Sequence, residues 1–409
     1  MKRFLQVTSD LLLIVLLSAG CSSVTSGGAT PGVVTPRVAM PSITPSPTPI
    51  PAADLKVTEP RQIKLDATRV VSLSPDGKWL AAIGDKTVCL IAVERLADKR
   101  CAELTTGSPD ERTFVWSPDS TRLALTENLF RFMQESDIWT LTVDNGQLTD
   151  LTPDNVASSV VKLPKSSPAL LDATPGWSPD SQTVIFSRTD RDHASTALYR
   201  VPAAGGAADK ILDAPGQDSF AVWYGPRWLS NGKIVYNVAH PRATDPSNGV
   251  WLADGDGRNA KQLLSPDAQR GVPQLIKLSS KGDRALIWYS GASAFAVRPN
   301  VSYFAVLDLN SGQAVALKPS DPAGFLSVLN ATFSPDGSKI LYVYRGMDDQ
   351  AHLSVRDVQS EVDHSLLIQP MPLGASNFPM QGLDWASNDT VYAATTPAGV
   401  GMLLTLRSK

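Results

Sequence analysis

From Leu73 onward the chain repeats one arrangement of apolar and polar positions. A short strand-like run ends in Trp, Phe or Leu, a polar turn follows, and a second alternating apolar run comes after it. The copies read LSPDGKWLAAIG from Leu73, WSPDSTRLALTE from Trp116, WSPDSQTVIFSR from Trp177, WLSNGKIVYNV from Trp228, LSSKGDRALIWYS from Leu278, FSPDGSKILYVY from Phe333 and WASNDTVYAATT from Trp385. Their equivalent turn positions are Asp76, Asp119, Asp180, Asn231, Lys281, Asp336 and Asn388, spaced by 43 to 61 residues with a mean of 52. Alternation with a period of two predicts strands. In the turn, Pro presets φ, Asp bonds the backbone ahead and Gly tolerates the left-handed region. Each copy therefore reads as a β-hairpin.

A third strand follows in most copies, as in DIWTLTV (Asp137 to Val143), ALYRV, GVWLAD, YFAVLDL and HLSVRDV. Asn145-Gly146, Gly205-Gly206, Gly255-Asp256-Gly257 and Ser311-Gly312 then turn the chain into a fourth. Seven four-stranded units at this period predict an all-β fold, a seven-bladed β-propeller. The last copy has only a third strand, Gly401 to Leu406, before Lys409. Arg61 to Leu65, just ahead of the first copy, is the strand expected to complete it and close the ring.

The Ser-Pro-Asp-Gly repeat resembles that of the TolB-like propellers, relatives of the WD-type families, from about Leu55 to Lys409. The resemblance implies a protein-interaction module of the cell envelope. The type member of that family carries an extra α/β domain before its propeller, whereas this chain has a short address and a stalk there. Only the propeller and a scaffold role are therefore expected to carry over.

Lys2 and Arg3 precede an apolar run from Leu11 to Leu17, the layout of an export signal. That run is too short to span a bilayer as a mature helix. Ser18-Ala19-Gly20-Cys21 resembles a lipoprotein lipobox, with Ser18 where Leu is preferred. The resemblance makes 1–20 a signal peptide and Cys21 the acylated residue, which anchors the protein on the outer side of a bacterial membrane. Residues 21–54 are rich in proline and nearly uncharged, the composition of an extended stalk. The propeller is expected over 55–409.

Composition narrows the function classes. The net charge of −3 gives no basic footprint for nucleic acid. Four histidines and three cysteines leave little for a metal site, so no cofactor is expected. No Gly-x-Ser-x-Gly nucleophile elbow is present, and the Ser of Ser-Pro-Asp is a recurring turn residue. Asp384 is the one carboxylate noted on a short inner strand. Asp254 to Asn259 starts like a calcium loop, but Ser265 stands where the closing Glu belongs, so a plain turn is expected. Cys89 and Cys101 fall opposite one another on the third and fourth strands of the first copy, which leaves either a disulfide or two buried thiols.

Loops after the second strands and between copies should open on one face. They place Phe130, Arg131, Phe132, Arg188, Arg191, His193, His240, Arg242, Phe295, Arg298 and Arg345 around one mouth, with Trp223, Tyr224 and the insertion from Pro153 to Thr174. Aromatic and Arg side chains are enriched in binding hot spots, whereas Asp190, Asp192, Asp348 and Asp349 in the same loops could neutralise the arginines locally. The expected function is a monomeric, non-catalytic scaffold that binds an envelope or extracellular protein. The alternatives are a surface binder of a peptide or sugar, or a propeller enzyme acting on cell-wall or glycan material.

Overall fold

The computed structural model describes residues 51–64, 69–127, 136–154, 170–190, 196–215, 225–240, 244–289, 303–319, 325–348, 350–371, 382–387, 389–394 and 400–408. The expected signal segment, Cys21 and most of the expected stalk lie outside these residues. Within them the chain forms seven four-stranded antiparallel sheets.

Strand β1 (Leu55–Lys64) comes first. Blade 1 is β2 (Arg69–Leu73), β3 (Trp79–Ile83), β4 (Thr87–Ala92) and β5 (Lys99–Glu103). Blade 2 is β6 (Val115–Trp116), β7 (Arg122–Thr126), β8 (Ile138–Thr142) and β9 (Leu148–Asp150). Blade 3 is β10 (Leu170–Trp177), β11 (Thr183–Asp190), β12 (Thr196–Pro202) and β13 (Asp209–Asp213). Blade 4 is β14 (Arg227–Trp228), β15 (Lys233–Val238), β16 (Gly249–Asp254) and β17 (Lys261–Leu264). Blade 5 is β18 (Pro273–Leu278), β19 (Arg284–Tyr289), β20 (Tyr303–Asp308) and β21 (Ala314–Ala316). Blade 6 is β22 (Phe325–Phe333), β23 (Lys339–Gly346), β24 (Ala351–Asp357) and β25 (Asp363–Met371). Blade 7 holds β26 (Leu383–Trp385), β27 (Thr390–Ala394) and β28 (Val400–Ser408), and β1 pairs with β28 as its fourth strand. The ring is closed by the strand the sequence predicted.

Strand β10 starts at Leu170, so the end of the insertion expected to run to Thr174 is strand. Its Asp172 stands in register with Arg188 on β11, and that pairing extends the hairpin beyond the apolar run.

The turns show why the repeat is written Ser-Pro-Asp. Ser74 Oγ donates to Asp76 Oδ1 at 2.6 Å and accepts from Trp79 N at 3.0 Å. Ser117 with Asp119, Ser178 with Asp180 and Ser334 with Asp336 repeat the 2.6 Å bond. In blade 5, where Lys281 holds the aspartate's place, Ser279 Oγ turns to Asp283 Oδ1 at 2.7 Å. Ser120 and Ser181 replace the glycine of the turn at φ 60°. Each accepts a hydrogen bond from the backbone of the preceding blade's turn, Asp76 N at 3.1 Å and Asp119 N at 3.2 Å. A left-handed serine costs conformational energy, and here it gains an inter-blade bond.

The core is divided into seven apolar clusters among the described residues, one between each pair of neighbouring blades. The residue ending each inner strand, Leu73, Trp116, Trp177, Trp228, Leu278, Phe333 or Trp385, packs into the cluster shared with the preceding blade. Two of the indoles also bond back to that blade: Trp116 Nε1 donates to Ser72 Oγ at 3.0 Å and Trp177 Nε1 to Val115 O at 2.9 Å.

Cys89 and Cys101, directly opposite on β4 and β5, are joined as a disulfide. Asp254 to Asn259 is the hairpin turn between β16 and β17, with Gly257 N donating to Asp254 O at 2.8 Å and Asn259 Nδ2 to Asp254 Oδ2 at 2.6 Å.

The inner strands of blades 3 and 4 pass close together at Gly176, where an added Cβ would lie 1.9 Å from Pro226 O of the next blade. Gly176→Ala is therefore expected to lower stability by about 2 kcal/mol or more, because backbone cannot yield as a flexible side chain can. Denaturant unfolding measures this, and an unchanged midpoint would contradict the close approach.

Candidate functional site: the central channel

Seven inner strands converging on one axis leave a cavity of about 500 Å³, within the range of small-molecule sites. In each blade the strand-ending residue packs against the preceding blade, and alternation puts the residue before it on the other side of the strand. Those preceding residues are Ser72, Val115, Gly176, Arg227, Lys277, Thr332 and Asp384. All but the side-chain-less Gly176 line the cavity. Trp116, Trp177, Trp228, Phe333 and Trp385 border the cavity, Trp228 and Trp385 half-buried and the other three buried between blades, with Ser74, Ser280, Ser334 and Ser387 from the turns between first and second strands.

The ring carries three charged side chains. A register shift on β18 between Leu275 and Lys277, the mark of a bulge that re-aims a side chain, accompanies the reach of Lys277 to blade 7. There Lys277 Nζ donates to Asp384 Oδ1 at 2.7 Å and to Leu383 O. Asp384 also accepts from Leu73 N at 3.0 Å. The carboxylate noted in the sequence as exposed is thus the centre of a tie joining blades 5, 7 and 1, with side-chain exposures of 20% for Lys277 and 19% for Asp384. Arg112, also in the wall, is held by a fork to Asp110: Nε to Oδ1 at 2.9 Å and Nη2 to Oδ2 at 2.7 Å.

Arg227 differs. Its Nη1 donates to Pro226 O at 3.0 Å and, at 3.4 Å, to Pro175 O. No carboxylate among the described residues pairs with it. Burial alone pushes its guanidinium down to about 10. Gly225, at φ +47°, lies under the guanidinium, and a Cβ there would be 2.9 Å from Nη1.

The residues predicted around the loop mouth fare differently. Phe130, Arg131, Phe132, Arg191, His193, Trp223, Tyr224, Arg242, Phe295 and Arg298 lie outside the described residues. Arg188 is a strand residue, forked onto Asp172 (Nε to Oδ1 2.7 Å, Nη2 to Oδ2 2.6 Å) and set over the rings of Phe186 and Tyr199. His240 is 0% exposed, its Nε2 against Pro215 O at 3.0 Å and its backbone N–H donating to Asn248 Oδ1. Arg345 is a half-buried residue of β23, and Asp348 beside it pairs with His352 at 3.1 Å.

Arg188 belongs to a second polar cluster, inside blades 2 and 3. Glu127 is 0% exposed and accepts from Thr106 Oγ1 at 2.8 Å and Trp139 Nε1 at 2.7 Å. Burial nevertheless pushes it up to about 7. Asp137 is raised by burial and then by the charges of Asp150 and Glu127. Burial also lifts Asp150 to about 6. No group of His, Cys, Asp or Glu among the described residues is arranged to hold a metal ion.

No protein-family model matches the chain, and no curated protein matches its sequence. Solved structures do. The oligogalacturonate lyase of Vibrio parahaemolyticus aligns over 87% of this chain and 98% of its own at 11% identity, with a TM-score of 0.56. The Cps50 (Swd1) β-propeller domain of Myceliophteria thermophila aligns over 86% and 99% at 11% identity, with a TM-score of 0.55. TolB of Acinetobacter baumannii aligns over 74% of this chain and 64% of its own at 14% identity, with a TM-score of 0.43. Identities this low speak for fold alone, and the fold shared with the Cps50 (Swd1) domain is the β-propeller.

Two outcomes are expected. Glu127 and Asp137 bind protons more tightly folded than unfolded, so their stabilising contribution is complete below the unfolded carboxylate range and is lost as pH rises through their folded values. Thermal stability should fall between about pH 5 and 8, and Glu127→Gln should flatten that slope; a slope unchanged in the variant would contradict the assignment. Lys277→Met should cost about 1 to 3 kcal/mol by stranding Asp384, with part recovered in Lys277→Met/Asp384→Asn. Additive losses in that double-mutant cycle would deny the tie.

Proposed function

We propose that this chain is a non-catalytic binding protein of a bacterial envelope. Acylated Cys21 anchors it, residues 21–54 hold it off the membrane, and the propeller captures its ligand at the central channel. The single observation that carries this reading is the chemistry of the channel ring. Its one carboxylate among the described residues, Asp384, is paired with Lys277, and the other polar groups of the wall are hydroxyls and guanidinium groups. Such groups hold and orient a ligand; a hydrolase or lyase needs in addition a group poised to move a proton. The carboxylates that burial raises, Glu127, Asp137, Asp150 and Asp172, do not line this cavity.

The test is calorimetric and chemical together. The full-length protein is heated with and without a native envelope extract, and the bound species is recovered and identified by mass spectrometry. A ligand at a hundredfold excess over its Kd adds about 2.7 kcal/mol, so a rise of a few degrees in Tm is expected, with the ligand recovered unaltered. No rise, or recovery of a cleaved or eliminated product, would overturn the reading.

A further inference from the structure

Buried or half-buried charges in proteins are ordinarily paired, because leaving water without a counter-charge is expensive. Every cation of the channel obeys this except one. Lys277 is met by Asp384 and Arg112 by Asp110. Arg227 is met only by two backbone carbonyls, both through Nη1. Its Nε–H and its two Nη2 hydrogens have no acceptor among the described residues. These are the donors of the edge that matches a carboxylate in two parallel bonds.

The surroundings keep that edge available. Gly176, the ring member of blade 3, contributes no side chain next to Arg227. The Pro175 and Pro226 carbonyls take Nη1, and Gly225 leaves free the room that a Cβ, 2.9 Å from Nη1 and 3.1 Å from Nη2, would fill. The only carboxylate of the ring is already committed to Lys277.

We propose that the channel is a site for a small carboxylate attached to a ring. Arg227 takes the carboxylate through Nε and Nη2, and the ring lies against the half-buried indoles of the wall, Trp228 and Trp385. The inference rests on the binding role proposed above and names the ligand class for it. A bound anion would also relieve the burial cost that now holds the Arg227 guanidinium down.

Intrinsic tryptophan fluorescence and isothermal titration of the full-length protein at low ionic strength test this with matched pairs: benzoate against benzamide, and glucuronate against glucose. The expected result is saturable binding of at least one carboxylate, tenfold or more tighter than its neutral partner. Arg227→Lys keeps a cation but loses the fork, and should weaken that carboxylate at least fivefold while leaving Tm within a few degrees. Arg227→Gln should abolish the preference for the charged partner. Equal binding within both pairs, or a preference that survives in Arg227→Gln, overturns the proposal; if Arg227→Gln does not fold, an unweakened Arg227→Lys does so. Should the carboxylates fail while envelope extract still raises Tm, the ligand class falls and the binding role stands. Failure of both removes both.

Discussion

Closure of the ring is the constraint on which everything else depends. Strand β1 and strand β28 come from opposite ends of the folded chain, and their pairing runs from Leu55 opposite Ser408 to Lys64 opposite Val400. Ile63, from β1, is 1% exposed in the apolar cluster shared by blades 7 and 1. The entropy of bringing such distant segments together grows only slowly with separation, whereas an open ring would leave two sheet edges and an apolar face in water. Once closed, seven blades must converge on an axis, and their inner strands have no freedom to choose which residues face it. The channel lining follows from closure plus alternation.

The molecule handles buried charge in two ways. Within blades 2 and 3, carboxylates are withdrawn from water and burial raises their proton affinity, Asp172 included, although Arg188 grips it by two bonds that oppose the shift. In the channel the charges are cationic in excess. Lys277 and Asp384 cancel one another while tying blades 5 and 7 across blade 6, which presents the small Thr332 between them. Arg227 is left without a carboxylate partner among the described residues. The first arrangement makes stability respond to pH; the second makes a place for an anion.

The fold was legible in the sequence because its chemistry is repeated. Ser-Pro-Asp marks a turn whose hydroxyl and carboxylate bond one another and the strand beyond, and that local logic needs no distant partner to be recognised. Blade 5 breaks the wording, with Lys281 in the aspartate's place, yet Asp283 restores the bond from two positions on. The channel was less legible. Arg227 and Lys277 carry no motif, and arginines in the loops drew attention instead. The available signal was positional: each stands immediately before the aromatic or Leu that ends an inner strand, and Asp384 does the same. Arg188 and His240 read as loop residues because apolar alternation ends before them; in the structure a cross-strand ion pair and a bond to Pro215 O carry them inward. Asp172, the partner that claims Arg188, lay in a stretch with no repeat signature.

Hydrogen–deuterium exchange on the full-length protein, with and without the ligand drawn from envelope extract, tests the central claim most directly. Binding at the axis should slow exchange in peptides covering 72–75, 225–229, 276–280 and 383–387, which lie far apart in sequence and meet only in the channel. Protection confined to 128–135, 241–243 and 290–302, with the inner strands unchanged, would contradict it and move the site to the loops between second and third strands.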